Sequence, residues 1–112
     1  MEENFMIYEL RIYHVNEGKL PELHDRFKDI TFDFFKKYNI EVCDFFVDAT
    51  GLERCYYILG YENEQDRELK WSAFENDPEW IEKREKTNEN GRIVSKVESF
   101  LMNRVPYVNP NW

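Results

Sequence analysis

The sequence predicts an α+β domain in which four antiparallel strands form one sheet and helices cover one face of it. Three observations support this fold class. Residues 6–14 alternate in side-chain character with a period of two, residues 20–38 carry apolar side chains at spacings of three and four, and two further apolar runs are joined by a glycine-containing turn. With 112 residues, of which 42% are hydrophobic, the chain is predicted to be one ordered domain over residues 1–112.

The first strand is predicted over residues 6–14, which contain neither glycine nor proline. Its even positions are mostly apolar and are expected to pack under the helices: Met6, Tyr8, Leu10 and Ile12. Its odd positions place Glu9, Arg11 and Tyr13 together on the opposite face.

A long helix is predicted from about residue 19 to residue 38. Its apolar stripe has the spacing of one buried helical face and consists of Leu20, Leu23, Phe27, Ile30, Phe34 and Tyr38. Pro21 suits the first turn, and Asn39 suits the left-handed position that follows the helix.

Residues 40–49 and 54–61 are rich in β-branched and aromatic side chains, and Thr50-Gly51 marks a turn between them, so the two runs predict a hairpin. One face of its second strand carries Cys55, Tyr57, Leu59 and Tyr61. The other carries Tyr56, Ile58 and Gly60, which are smaller on average and predicted to lie under a helix.

Two more helices and a last strand complete the chain. Asn63 is predicted to cap the first of these helices, and Asp77 to cap the second, with Pro78 at its first position. The last strand is predicted over residues 92–105.

The order β-α-β-β-α(α)-β, with right-handed crossovers, is that of the ferredoxin-like split βαβ fold. The face without helices would then expose a large patch made of Arg11, Tyr13, Tyr57, Leu59 and Tyr61. Packing against a second copy would cover it, so the sequence predicts a homodimer that closes as a dimeric α/β barrel.

Charge and composition exclude several classes of function. The net charge of −8, with no basic run longer than Lys36-Lys37, argues against binding to nucleic acid or to an anionic membrane. No apolar run approaches the roughly 20 residues that span a bilayer. The start Met1-Glu2-Glu3 is unlike a targeting peptide, and two cysteines are too few for a disulfide scaffold, so a cytoplasmic location is predicted. No spacing of ligands predicts a metal site, and no motif predicts a bound cofactor.

Four segments resemble the NIPSNAP family and follow one another in the family's order. They are Met-Ile-Tyr-Glu-Leu-Arg at 6–11 with Gly-Lys-Leu-Pro at 18–21, Gly51-Leu52 leading into the strand that ends at Tyr61, Asp-Pro-Glu-Trp at 77–80, and Glu98-Ser99 leading to Pro106-Tyr107. The resemblance implies a dimeric α/β-barrel fold and a biochemical activity that is poorly defined. Tyr57 and Leu59 stand where the family pattern leads one to expect His and Trp, and Glu53 where Asn is usual. If that strand lines a ligand pocket, these departures imply a different ligand or activity for this chain.

The candidate ligand-binding residues are Glu9, Arg11, Tyr13, Tyr57, Tyr61, His24 and Trp71. Glu9 and Arg11 could anchor a small ligand or could form a structural ion pair. The three tyrosines could offer phenol donors or could be packing, and His24 could be a base or a structural histidine.

Two classes of function therefore remain. One is a dimer that binds a small apolar or aromatic ligand or a protein partner. The other is a cofactor-independent monooxygenase or isomerase of the dimeric α/β-barrel superfamily, with Arg11, His24, Trp71 and Tyr57 around its pocket, which rests on analogy of fold alone.

Overall fold

A computed structural model describes residues 7–110 of the chain, so the prediction that Met6 packs under the helices lies outside the described residues. The elements follow in the predicted order: β1 Ile7–Val15, α1 Leu20–Arg26, a π-helical turn Phe27–Thr31, α2 Phe32–Lys37, β2 Glu41–Val47, β3 Arg54–Tyr61, α3 Glu64–Glu75, α4 Pro78–Thr87 and β4 Val94–Met102.

The four strands form one antiparallel sheet in the order β2-β3-β1-β4. At the centre of the sheet, Arg11 of β1 lies opposite Tyr57 of β3 and Ser99 of β4. The helices pack on one face of this sheet, which confirms the predicted α+β fold. No helix among residues 7–110 is long and apolar enough to cross a membrane.

The predicted caps fix the ends of the helices. The Asn63 side chain accepts a hydrogen bond from the backbone N–H of Asp66 at 2.7 Å, and Asp77 accepts from the N–H groups of Glu79 and Trp80. Asn39 has a φ of 57°, the left-handed conformation predicted for the residue after the long helix.

The predicted assignment of the two sheet faces is wrong. The side chains of Tyr57, Leu59 and Tyr61 are fully buried, and they lie under the helices together with Glu9 and Arg11. Tyr57, for example, has its ring 5.4 Å from that of Phe27 and 6.3 Å from that of Phe35, both on the long helix. The helix-free face is therefore formed by the even positions of β1, Tyr8, Leu10 and Ile12, and by Tyr56, Ile58, Phe46 and Phe100 on the neighbouring strands.

The inversion has a physical cause. Charged residues were expected to avoid the core, but the helix layer brings its own partner for them, because Arg67 of α3 binds the Glu9 carboxylate. A buried charge that is paired and hydrogen-bonded can stay in a core. The large tyrosines fill the wide space beneath the helices, against Phe27, Phe35 and Phe74.

The long helix contains an irregularity that its periodicity did not predict. At Phe27–Thr31 the helix widens, and the N–H of Phe32 bonds to the carbonyl of Phe27, five residues earlier. The wider turn keeps residues that are four apart on one face, so that Leu23, Phe27, Thr31 and Phe35 are all buried. Such turns occur often at functional sites.

Candidate functional site

A cavity of about 430 Å³ lies between the helices and the β1–β4 half of the sheet. The helix layer leaves part of β4 uncovered, since Val97 and Leu101 point to the helix side yet are exposed. Five aromatic side chains line the cavity: Tyr13, Phe27, Trp71, Phe74 and Trp80. Its charged lining consists of Arg11, Arg26, Arg84 and Arg92 with Glu75 and Glu85, while Lys96, also at the wall, pairs its ammonium with Glu98 at 3.7 Å.

Arg11 is the best-anchored cation at the wall of this cavity. Its Nε donates to the Tyr57 hydroxyl at 2.9 Å, and its Nη1 donates to the Glu9 carboxylate at 2.9 Å. The guanidinium carbon lies 4.1 Å from the centre of the Trp71 ring, a cation–π contact that holds the group flat against the aromatic wall. Arg11 therefore has a fixed position.

A relay of hydroxyl groups continues from Arg11 to the cavity. The Tyr57 hydroxyl accepts from Arg11 and donates to the Tyr13 hydroxyl at 3.0 Å. Because Tyr13 accepts that bond, its own O–H is free to donate elsewhere, and Tyr13 lines the cavity. Burial, then the neighbouring Tyr13, raises the pKa of Tyr57 well above its usual value, so Tyr57 remains a neutral donor.

Glu9 is the carboxylate at the centre of this hydrogen-bond network. Its carboxylate accepts from Arg67 at 3.0 and 3.1 Å, from Arg11, and from the Ser99 hydroxyl at 2.5 Å. Burial opposes its ionisation, but the bonds from Arg67 and Ser99 and the charge of Arg11 outweigh it, and the pKa of Glu9 is lowered. Burial likewise opposes the charge of Arg11, yet its polar neighbours Tyr57, Tyr13 and Glu9 prevail and raise its pKa.

The opposite wall comes from the long helix and α4. Arg26 ends α1 directly before the π-helical turn, which places it with Phe27 and Thr31 at the cavity. On α4, Trp80 and Arg84 are four residues apart and so share the helix face that lines the cavity.

The structure brings together some of the predicted site residues and separates others. Arg11, Tyr13 and Trp71 line the cavity, while Glu9 and Tyr57 touch it only through their bonds to Arg11 and Tyr13. Tyr61 is buried, and its hydroxyl has no hydrogen-bond partner among the described residues. His24 is half-buried on α1 and does not line the cavity.

Sequence reasoning missed Arg26, Trp80 and Arg84. A signal for Arg26 was present, because it lies within the apolar stripe, three residues after Leu23 and directly before Phe27. The spacing of Trp80 and Arg84 was also readable, but their relation to the cavity depends on how α4 packs.

A second depression of about 590 Å³ lies beside β2 and is lined by basic Lys36 and Lys70 and by acidic Glu41, Asp44, Glu62 and Asp66. It contains none of the predicted residues. Within residues 7–110, no group of three or more His, Cys, Asp and Glu side chains is arranged to hold a metal ion.

Comparison with known proteins shows which family the chain matches. The model of the family described as NIPSNAP matches residues 8–109. No curated protein matches the sequence.

Several solved structures resemble the fold. A NIPSNAP-like domain protein from Burkholderia xenovorans superposes with a TM-score of 0.84 at 20% identity, over 96% of this chain and 92% of that one. A NIPSNAP family protein of unknown function from Agrobacterium tumefaciens gives 0.82 at 18% identity, over 96% and 95%. A Streptomyces coelicolor monooxygenase in complex with nanaomycin D gives 0.68 at 13% identity, over 96% and 94%. At these identities the likeness concerns the fold alone.

Proposed function

The chain belongs to the NIPSNAP family, whose solved members named above have no assigned function, and on that premise we propose that it binds a small aromatic molecule in the cavity between sheet and helices. The supporting observation is the position of Arg11, which is held against Trp71 at 4.1 Å by a buried network that includes Glu9 and Tyr57. The volume of about 430 Å³ lies within the range of small-molecule sites.

The composition of the walls supports an aromatic ligand. Two indoles, Trp71 and Trp80, and the phenol of Tyr13 offer flat apolar surface. The Arg11 guanidinium and the Tyr13 hydroxyl are donors whose positions are fixed in advance, so ordering them on binding costs little entropy.

Tryptophan fluorescence tests this proposal, because two of the three tryptophans line the cavity and the third is Trp112. In a Trp112→Phe background, titration with a series of naphthalene and quinone derivatives is expected to change the emission of Trp71 and Trp80 saturably. Trp71→Leu should weaken binding at least tenfold. The matched control is Leu69→Ala, which changes an exposed position of the same helix and should leave the affinity unchanged.

Absence of a saturable change for every member of the series, together with no chemical-shift change of the tryptophan indole N–H groups in NMR spectra, would reject the proposal. Equal binding by wild type and Trp71→Leu would place the ligand elsewhere.

We also propose that the protein is a homodimer that pairs through the helix-free face. The centre of that face is apolar, with Leu10, Ile12 and Ile58 half-buried and Phe46 and Phe100 51% and 48% exposed. A continuous patch of this kind on four strands is unusual for a monomer.

The charges on this face are largely satisfied within one copy. His14 and Lys96 both pair with Glu98, at 2.7 and 3.7 Å, and the Arg104 guanidinium lies 4.8 Å from the centre of the Tyr8 ring. The apolar centre of the face therefore carries the dimer proposal.

Sedimentation velocity of Phe100→Glu tests the dimer, with Leu69→Glu as the matched control on the helix side, where Leu69 is 74% exposed. Wild type and Leu69→Glu are expected to sediment as dimers at 20 µM and Phe100→Glu as a monomer. A monomeric wild type, or a dimeric Phe100→Glu, would contradict the proposal.

The monooxygenase or isomerase alternative depends on a group that transfers protons at the cavity. His24, the residue considered for that role, lies away from it. Product formation from a bound quinol under air, lost in Tyr13→Phe, would favour catalysis over binding alone.

A further inference from the structure

The structure contains three arginines at buried or largely buried positions on the helix side, and one of them differs from the others. Arg11 and Arg67 both bind the Glu9 carboxylate, at 2.9 and 3.0 Å. Arg26 is 7% exposed, and within residues 7–110 no carboxylate forms an ion pair with it. Its side-chain hydrogen bond has a neutral acceptor: Nη1 donates to the Thr87 hydroxyl at 3.2 Å.

The chain does not lack acids with which to pair Arg26. It carries 23 acidic and 15 basic residues, yet the cavity wall has four of its seven arginines and only two of those acids, Glu75 and Glu85. Both of these acids are exposed, and each already has a partner: Glu75 accepts a hydrogen bond from the Trp71 indole N–H, and Glu85 forms an ion pair with Arg84 at 3.4 Å. The residues that line the cavity therefore carry a net positive charge, whereas the whole chain has a net charge of −8.

A buried cation without a carboxylate partner is costly, because the single hydrogen bond to Thr87 replaces only part of the hydration that burial removes. Burial is the main cause that lowers the pKa of Arg26, and the charge of Arg84 adds to it, while Tyr13, Tyr57 and Glu85 oppose the shift without reversing it. Two guanidinium groups that repel each other at one cavity wall are stabilised when an anion lies between them.

We infer that the cavity takes an organic anion, with its aromatic body against Trp71 and Trp80 and its carboxylate between Arg26 and Arg84. This inference rests on the proposed function, since it concerns the chemical class of the ligand in the same cavity. The aromatic walls distinguish such a ligand from a free inorganic anion, which would gain nothing from the two indoles.

Comparing a charged with a neutral ligand of the same shape tests the anion inference separately from the proposed function. The probes are 2-naphthoate and 2-naphthamide, titrated against the Trp112→Phe protein by fluorescence, with inorganic phosphate as a third probe. We expect 2-naphthoate to bind at least about tenfold tighter than 2-naphthamide, and phosphate not to compete at equal concentration.

Arginine variants assign the effect to the proposed residues. Arg26→Met and Arg84→Gln should each reduce the preference for 2-naphthoate to within about twofold and leave 2-naphthamide binding unchanged. Lys83→Gln is the matched control, because it removes an exposed cation beside Arg84 on the same helix but away from the cavity. Circular dichroism spectra of each variant show whether it is folded, and Arg84→Gln, at a half-buried position, provides the test if Arg26→Met does not fold.

Equal binding of both naphthalene probes would overturn the anion inference and leave the proposed function standing. Binding of neither probe would overturn both. Competition by phosphate as strong as by 2-naphthoate would show a general anion site and would also overturn the inference, as would a preference that survives in both arginine variants.

Discussion

Arg67 of α3 donates two hydrogen bonds to the carboxylate of Glu9 on β1, from Nε to Oε1 at 3.1 Å and from Nη2 to Oε2 at 3.0 Å. This bidentate pair joins the helix layer to a central strand of the sheet. The same carboxylate accepts from Arg11, so the position of Arg11 at the cavity depends on Glu9. Stability and the geometry of the site are linked through one side chain.

Glu9→Gln is expected to lower the free energy of unfolding by about 3–5 kcal/mol, because it leaves the buried Arg11 guanidinium without its counter-charge and leaves Arg67 with only the exposed Glu68. Urea unfolding followed by circular dichroism measures this change.

Glu68→Gln is the matched control, because Glu68 binds the same Arg67, at 2.8 Å, but its side chain is exposed. Here we expect a loss of about 0–1 kcal/mol. Similar losses for the two variants would show that the buried network is not what stabilises the fold.

Tyr57→Phe tests the hydroxyl relay. It leaves the buried Arg11 Nε without its acceptor and Tyr13 without its donor, so the expected loss is about 1–3 kcal/mol, with weaker ligand binding. Tyr56→Phe removes a hydroxyl that binds Asp48 on the other face of the sheet and should leave ligand affinity unchanged. If Tyr57→Phe keeps both the stability and the affinity of the wild type, the relay does not position Arg11.

Asp77 predicts how stability depends on pH. Hydrogen bonds from Lys37, then from Tyr38, lower the pKa of Asp77 below its unfolded value of about 3.9. The folded state thus binds this proton more weakly than the unfolded state, so the stabilisation is present above about pH 4 and is lost as the pH falls through the folded pKa.

The comparison of wild type with Asp77→Asn isolates that charge, since asparagine can still cap α4. The wild type should have the higher melting temperature by a constant margin from pH 7 to pH 5, and the margin should shrink below about pH 4. Asp33→Asn, an exposed change on the long helix, should show no such trend. A margin that grows on acidification would refute the sign.

The sequence predicted the fold because strand alternation, helical spacing and capping residues are local signals. Asn63 and Asp77 mark their helix starts through hydrogen bonds to residues two or three positions away. Each of these capping residues can be recognised in the sequence without knowledge of how the helices pack on the sheet.

The faces of the sheet could not be predicted in the same way. Period two shows that Glu9 and Arg11 share a face, but which face the helices cover depends on Arg67, which is 58 residues further along the chain than Glu9. The rule that charged residues avoid the core predicted the wrong face for Glu9, because it took no account of the pairing of Glu9 with Arg67.

Only part of the candidate site was predicted, because the rest of it also depends on how distant elements pack. Arg11, Tyr13 and Trp71 were expected at the site as polar or aromatic residues in suitable elements, and they do line the cavity. Arg26 and Arg84 reach it because the π-helical turn and the packing of α4 orient them, and neither feature is visible in the periodicity of the sequence.

The unpaired charge of Arg26 predicts a stability change of unusual sign. Arg26→Met replaces a buried cation that lacks a carboxylate partner with an apolar side chain of similar length, and Thr87 keeps its own bond to the Arg84 carbonyl. We expect the free energy of unfolding to rise by about 1 kcal/mol or more, with the gain limited by solvent in the cavity. Arg11→Met, at the paired site, should instead lose about 3–5 kcal/mol, because it strips Glu9 of one counter-charge. Urea unfolding of the two variants side by side gives the answer. A gain in stability for Arg26→Met together with a loss for Arg11→Met would indicate that Arg26 serves ligand binding and does not stabilise the fold. A loss of stability in both variants would show that Arg26 stabilises the fold.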